Sequence, residues 1–181
     1  MHPERPVLHH RTLRGFSLLE MIVVLAVLVG LAGTVLPLMA SEIEDTRISR
    51  AMADASRVSG AVERYARDLG ALPGALEKGG ATTSLTSAAP LPGGLPTGPR
   101  ARLAEWIGPE AAGRAETAKG WKGPYLGEVG PDPWGRAYVV LVPSGGTRGH
   151  VWALSAGRDG ALQTHEFSDA IAGDDVGVML R

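Results

Sequence analysis

The stretch RGFSLLEMIVVLAVLVGLAGTVLP, Arg14 to Pro37, decides how this chain is built, because it joins a long apolar run to a single acidic residue near its start. From Met21 to Ser41 no residue carries a charge, and about 20 apolar residues are what an α-helix needs to cross a bilayer core. The run reads as a membrane-spanning helix. Glu20 stands just inside it, although an ionised side chain at the centre of such a helix costs about 2.5 to 3.5 kcal/mol. Something must compensate that charge.

Plainer readings account for less of the stretch. A secretory signal peptide ends its apolar core after about 7 to 15 residues and presents a small-residue cleavage site; this run is longer, and Leu38-Met39-Ala40 is a poor version of such a site. An ordinary single-pass anchor explains length and hydropathy but leaves Glu20 as an unpaired intramembrane acid. A core helix so long and so uniformly apolar suits a larger protein. Charge asymmetry orients the span. Arg5, Arg11 and Arg14 precede it, while Glu42, Glu44 and Asp45 are the first charges after it, followed by Arg47 and Arg50. The positive-inside rule places the N-terminus in the cytoplasm and the bulk of the chain on the far side of the membrane.

Gly15, Phe16, Glu20 and Pro37 together resemble the class III signal of the type IV pilin superfamily, which includes type IV pilins and the pseudopilins of type II secretion systems. The resemblance implies that residues 1–15 are a leader cut by a prepilin peptidase between Gly15 and Phe16, and that the new N-terminal Phe16 is N-methylated. Removing 15 of the 181 residues leaves 166. Glu20 then becomes the fifth residue and Pro37 the twenty-second, positions where the family carries Glu and Pro. His2, His9 and His10 fall in the removed segment and read as polar leader residues rather than metal ligands.

Composition narrows the class. A net charge of -1 and the lack of a basic stripe interleaved with aromatics argue against a nucleic-acid partner. The chain has no cysteine, so an exported domain here relies on packing or a metal rather than disulfides. Many type IV pilins close their C-terminal region with a disulfide; its absence favours the pseudopilin branch.

Beyond the membrane the helix continues. Ala51, Ala55, Val58, Val62, Tyr65 and Leu69 recur at spacings of four and three, drawing one apolar stripe for packing on a sheet. Gly70 and Leu72-Pro73-Gly74 are stop signals, so the helix is expected from Phe16 to Leu69, about 54 residues or roughly 80 Å. Pro37, with Gly30 and Gly33 nearby, marks a point where it can kink. The expected divisions are a transmembrane and polymerisation helix over 16–40, an amphipathic continuation over 41–70, a Gly/Pro-rich surface loop with one short helix over 71–119, and an antiparallel β region over 120–181. The short helix is placed from about Arg100 to Ile107. The Gly79-Gly80 and Gly93-Gly94 pairs are not phosphate cradles, since neither is followed by Lys-Ser/Thr.

The segment GWKGPYLGEVGPDPWGRAYVVLVP, residues 120–143, resembles the loop and first strand of the major, G-type pseudopilin of type II secretion. Gly123-Pro124-Tyr125-Leu126 and Asp132-Pro133-Trp134-Gly135 stand in the family's order, with Tyr138 just beyond. Physically Asp132 to Gly135 is a rigid turn. Pro133 fixes φ, Asp132 bonds its following backbone, Gly135 permits positive φ, and Trp134 offers apolar surface to pin the loop. Ala137 to Val142 and His150 to Ser155 read as a hairpin around a Gly-rich loop, and Ala161 to His165 with Val176 to Leu180 as a further short pair. Ser155-Ala156-Gly157-Arg158-Asp159-Gly160 resembles the family's Ser-x-Gly-x-Asp-Gly turn. The resemblance thus covers the first 55 residues and about 120 to 160, leaving 71–119 outside.

Major pseudopilins bind calcium in the loop after that turn, which implies calcium as a cofactor here. The chain offers Asp159, Glu166, Asp169, Asp174 and Asp175, and calcium takes about six to eight oxygen ligands. Asp159 is the first candidate, then Asp174 and Asp175. The family's Gly-Gly-rich loop is replaced by Ala161 to Phe167, which reads equally as a strand, and solvated loop acids remain the alternative. Catalysis has no support. There is no cysteine nucleophile, no Gly-x-Ser-x-Gly and no His-Glu-x-x-His, and a triad drawn from His150 or His165 with Ser155 and Asp159 has no distinguishing spacing.

The expectation is an α+β, pilin-like protein: a long N-terminal helix packed on a small antiparallel sheet. By resemblance it is a structural subunit of a periplasmic pseudopilus, assembling with identical subunits, minor pseudopilins and an inner-membrane platform to push exoproteins through an outer-membrane secretin. Glu20 would neutralise the Phe16 ammonium of a neighbour, a pairing worth more out of water than in it. A type IV pilin or minor pseudopilin, and a membrane-anchored binding domain that never polymerises, remain the alternatives.

Overall fold

A computed structural model describes residues 15–73, 84–87, 90–111, 119–143 and 149–180; the side chains at 36–38 and 40 are outside the described set. The leader assigned to residues 1–15 therefore lies outside it except for Gly15, as does the Pro37 side chain. The chain divides into two units, Met1–Ile43 and Glu44–Arg181.

Helix α1, Leu18–Leu69, has 52 residues and runs from the first unit into the second. In the first unit the window Leu18–Val35 is long and apolar enough to cross a membrane, and none of it is buried. In the second unit α1 changes character as its sequence does. Ala51, Ala55, Val58, Val62 and Tyr65 are all buried, and Leu69 packs against the same core. The four-three spacing of these residues puts them on one side of the helix. Gly70 ends α1 at a φ of 71°, its N–H still bonded to the Ala66 carbonyl at 2.8 Å, the left-handed stop that glycine makes without steric cost.

Five strands form one sheet: β1, Ser84–Thr86; β2, Arg100–Arg102; β3, Val139–Leu141; β4, Trp152–Ser155; and β5, Val176–Met179. Their spatial order is β2-β1-β3-β4-β5. A four-residue helix α2, Leu103–Trp106, and a 3-10 turn, Pro109–Ala111, follow β2. The α+β, pilin-like architecture stands. The sheet, however, is mixed rather than wholly antiparallel, because β1 and β2 run parallel, Leu85 opposite Ala101, while β1/β3, β3/β4 and β4/β5 are antiparallel.

Two further expectations give way. The 71–119 stretch is not only a surface loop with a helix; it supplies β2 at the sheet edge and the fully buried β1 between β2 and β3. Ala161 to His165 forms no strand beyond a single bridge of Ala161 to Gly93, and β5 pairs with β4 instead. The reason is visible in the hydrogen bonds: the N–H groups of Gln163 and Thr164 go to the Asp175 carboxylate, not to a neighbouring backbone.

The sheet is covered on both faces. Val140 and Ala153 face the cluster that holds Val58, Val62, Tyr65, Leu85, Trp106 and Ile107. Val139, Leu141, Trp152 and Leu154 face the other side, closed by Ala156 and Leu162. Alternation along β3 assigns successive side chains to opposite faces. With both faces dry, its sequence is a continuous apolar run rather than an alternating one.

Candidate functional site

Three groups of residues carry the functional expectation, and each sits on a different part of the fold. At the N-terminus Gly15 and Phe16 precede α1, and both are exposed. Glu20 is the acid of the first turn of α1 and is exposed too. A carboxylate there stands at the positive end of the helix dipole.

The second group is the turn Asp132 to Gly135. Asp132 is 4% exposed. Its Oδ1 accepts from the backbone N–H groups of Trp134 at 3.0 Å and Arg136 at 2.7 Å, while Oδ2 accepts from the Ser155 hydroxyl of β4. Gly135 closes the turn at a φ of 86°, with its N–H on the Asp132 carbonyl. From this frame the Trp134 indole N–H donates to Glu44 of α1 at 3.1 Å, and the Tyr138 hydroxyl donates to Asp54 of α1 at 3.3 Å. Burial, reinforced by the charges of Asp54 and Asp132, pushes the Tyr138 hydroxyl above its ordinary pKa, so it remains a donor.

The Gly123 to Leu126 element holds the other end of α1. Its Tyr125 hydroxyl donates to Asp68 at 3.0 Å, and Arg64 donates to the Tyr125 carbonyl at 2.8 Å. Burial, with Asp68 beside it, also raises the Tyr125 hydroxyl. The Tyr125 ring stands edge-on to Tyr65 at 5.9 Å and to Trp121 at 5.9 Å, an arrangement favoured by the aromatic quadrupole. Both elements of the 120–143 segment thus dock side chains on the second half of α1.

The third group is the turn after β4. Gly157 takes a φ of 60°, and a Cβ there would stand 2.1 Å from the Asp174 carbonyl oxygen, so residues 157 and 174 meet backbone to backbone. Asp174 Oδ2 accepts from the Asp159 N–H at 3.0 Å. Asp159 Oδ1 accepts from the Ala161 N–H and its Oδ2 from the Gln163 side-chain amide. Asp175, 6% exposed, takes the N–H groups of Gln163 and Thr164 on Oδ2. Burial holds its carboxyl above the ordinary carboxylate pKa, against the lowering effect of the Thr164 side chain and of the Thr164 and Gln163 N–H groups. Asp159, Asp174 and Asp175 are therefore brought to one turn. Glu166 and Asp169 are not: the Glu166 carbonyl accepts from the His150 N–H and the Asp169 carboxylate lies 3.2 Å from His150 Nε2.

This turn can be tested against the expected calcium. Its donor set is all oxygen, as a hard cation requires, and two of those oxygens, Asp175 Oδ1 and Gln163 Oε1, are buried with no hydrogen-bond partner among the described residues. Those features fit. Among the described residues no three His, Cys, Asp or Glu side chains gather to hold a metal, so carbonyl and amide oxygens have to complete the set. Gln163 carries no charge and lies in no motif, which is why sequence reasoning missed it; the acid-rich loop around it was the sole signal. No triad forms among the named residues, since the Ser155 hydroxyl is given to Asp132 and His150 faces Asp169.

The fold and these groups define a class: a pilin-like α+β protein with one apolar N-terminal helix. Residues 109–173 match the family model described as type II secretion system protein G. The chain is 28% identical over 153 residues to the type II secretion system core protein G of Klebsiella pneumoniae, covering 84% of this chain and 90% of that protein. It is 27% identical over 154 residues to the core protein G of Pseudomonas aeruginosa, covering 84% and 89%. No solved structure gives a significant match. These likenesses support a G-type pseudopilin of type II secretion, and with the apolar helix they fit a protein anchored in the inner membrane.

Proposed function

We propose that the chain is a non-enzymatic structural subunit of a periplasmic pseudopilus. A prepilin peptidase cuts between Gly15 and Phe16 and Phe16 is N-methylated. The subunit waits in the inner membrane with its N-terminus cytoplasmic and its C-terminal domain periplasmic. An inner-membrane platform, with minor pseudopilins, then assembles it with identical copies into a helical filament that pushes exoproteins through the outer-membrane secretin.

One observation carries this reading: an unburied apolar helix that keeps an acid, Glu20, in its first turn. A plain anchor has no use for that acid, whereas packing of copies side by side brings it to the Phe16 ammonium of a neighbour. Both groups are then out of water, where their attraction is several times stronger. Glu20→Ala is the test. The variant should insert in the membrane at normal levels and fail to form filaments; normal filaments from Glu20→Ala would sink the reading.

Calcium is part of the same proposal. The ion would be held by the turn of Asp159, Asp174 and Asp175 and would tie residues 157–164 to 173–175, supplying no chemistry beyond that tie.

A further inference from the structure

Phe167 stands at the corner of a turn that holds it in water. The Ser168 N–H donates to the His165 carbonyl at 3.0 Å, the His165 N–H to Ser168 Oγ at 3.1 Å, and the His150 N–H to the Glu166 carbonyl at 2.6 Å. The ring is 58% exposed, and Ile171 beyond it is 36% exposed. Apart from Phe16 it is the chain's only phenylalanine. An aromatic side chain on a turn already fixed loses little freedom when a partner buries it.

A cavity of about 320 Å³ lies between the end of β1, α2 and the segment Leu126 to Val129. Leu103, Ala104, Pro109, Leu126 and Val129 give it an apolar lining, and about 150 Å³ of apolar space is enough for benzene. Most of its wall comes from the 71–119 stretch, which the family resemblance leaves out. Its lip, Gly127 to Gly130, makes no backbone hydrogen bond among the described residues, so main-chain groups are open to a polypeptide there. On the rim Arg102 is paired with Glu110 at 3.0 Å, and Glu128 is the other acid. Arg100 lies on the same side of β2 as Arg102; it is exposed and makes no ion pair among the described residues. Glu166 and Asp169, the latter 97% exposed beside His150, flank Phe167 with the opposite charge.

The ring and the cavity stand at opposite ends of the sheet. Ser87 on the cavity wall accepts from the N–H of Tyr138, next to the end of β3 where Val139 pairs with Leu154. The Phe167 turn is bonded to His150, beyond the other end, where Leu141 pairs with Trp152. Along α1 the cavity wall Leu126–Gly127 shares a groove with Arg57, and His150 shares a cleft with Arg67, ten residues or roughly 15 Å further on. One chain cannot join them. One knob and one socket per copy make a head-to-tail contact, which repeats into an open filament unless it closes a ring. We propose that the socket takes Phe167 of a second copy of this chain, with Arg100 meeting the acids beside that ring. The proposal rests on the filament reading above and adds to its helix packing a contact between the folded domains.

The chain has no cysteine, so the full chain carrying Phe167→Cys together with Val129→Cys reports this contact alone. It is expressed in a Gram-negative host that assembles the filament, and treated with a short bis-maleimide. A ladder of dimers, trimers and longer species is expected from the pair, and monomer from either single variant. Filaments that form without cross-linking, or a ladder that stops at dimers, overturn the contact and leave the filament reading intact. Cross-linking of Val129→Cys to a different protein, with none to Phe167→Cys, overturns it as well. A wild type that forms no filaments overturns both. Should Val129→Cys fail to fold, Phe167→Ala decides: truncating an exposed ring leaves the fold in place and should weaken self-association about tenfold or more, whereas wild-type filament yield overturns the contact.

Discussion

Asp132 and Asp175 show two fates of a buried carboxylate in one small domain. Asp132 meets donors on both oxygens, two from the turn it starts and one from Ser155, and so fastens the turn to the sheet. Asp175 is buried with its Oδ2 on the N–H groups of Gln163 and Thr164, too few donors to offset its loss of water. Its carboxyl is therefore held above the ordinary pKa by burial, and the sign of the consequence follows. Below the ordinary carboxylate pKa both folded and unfolded chains hold the proton. As pH rises from that value through the raised folded value, the unfolded chain ionises first and stability falls. In calcium-free buffer the melting temperature of Asp175→Asn, neutral throughout, should gain on wild type as pH rises through that window. A difference that stays flat or runs the other way contradicts the burial argument.

At the scale of elements, legibility followed chain length and pattern. Six apolar residues at four-three spacing announced the second half of α1, and Gly70 announced its end, because a long periodic run outweighs local ambiguity. β3 and β4 were legible as apolar runs bounded by glycine and proline. β1 was not. Ser84-Leu85-Thr86 is three residues long, two of them polar, and lies in a Gly/Pro-rich stretch; it is a strand only because β3 and β2 pair with it, a tertiary demand that overrides propensity. Leu85 is fully buried beside Val62 and Val140 in the same cluster. Leu85→Ala should then cost about 2 to 5 kcal/mol, measured by denaturant unfolding of the full chain in micelles. A surface-loop residue would cost within about 0.5 kcal/mol, and that result would restore the loop.

The whole molecule joins two environments on one helix. Leu18–Val35 buries nothing within the chain, whereas the stretch from Ala51 to Tyr65 buries its apolar side against the sheet, so the first half is free to meet lipid or other copies. Both halves were legible, the first from length and the uncompensated Glu20, the second from periodicity. The turn after β4 was half legible: its acids and glycines were in sequence, but the contact of the Gln163 amide with the Asp159 carboxylate was not. That is fixed only by residues 157–164 meeting 173–175. The central claim, that the apolar helix is a processed assembly surface and not a plain anchor, is tested most directly at its first residue. Mass spectrometry and N-terminal sequencing of the chain, expressed with a prepilin peptidase in a Gram-negative host, should find it beginning at N-methylated Phe16 with residues 1–15 gone; a chain still beginning at Met1 contradicts the account.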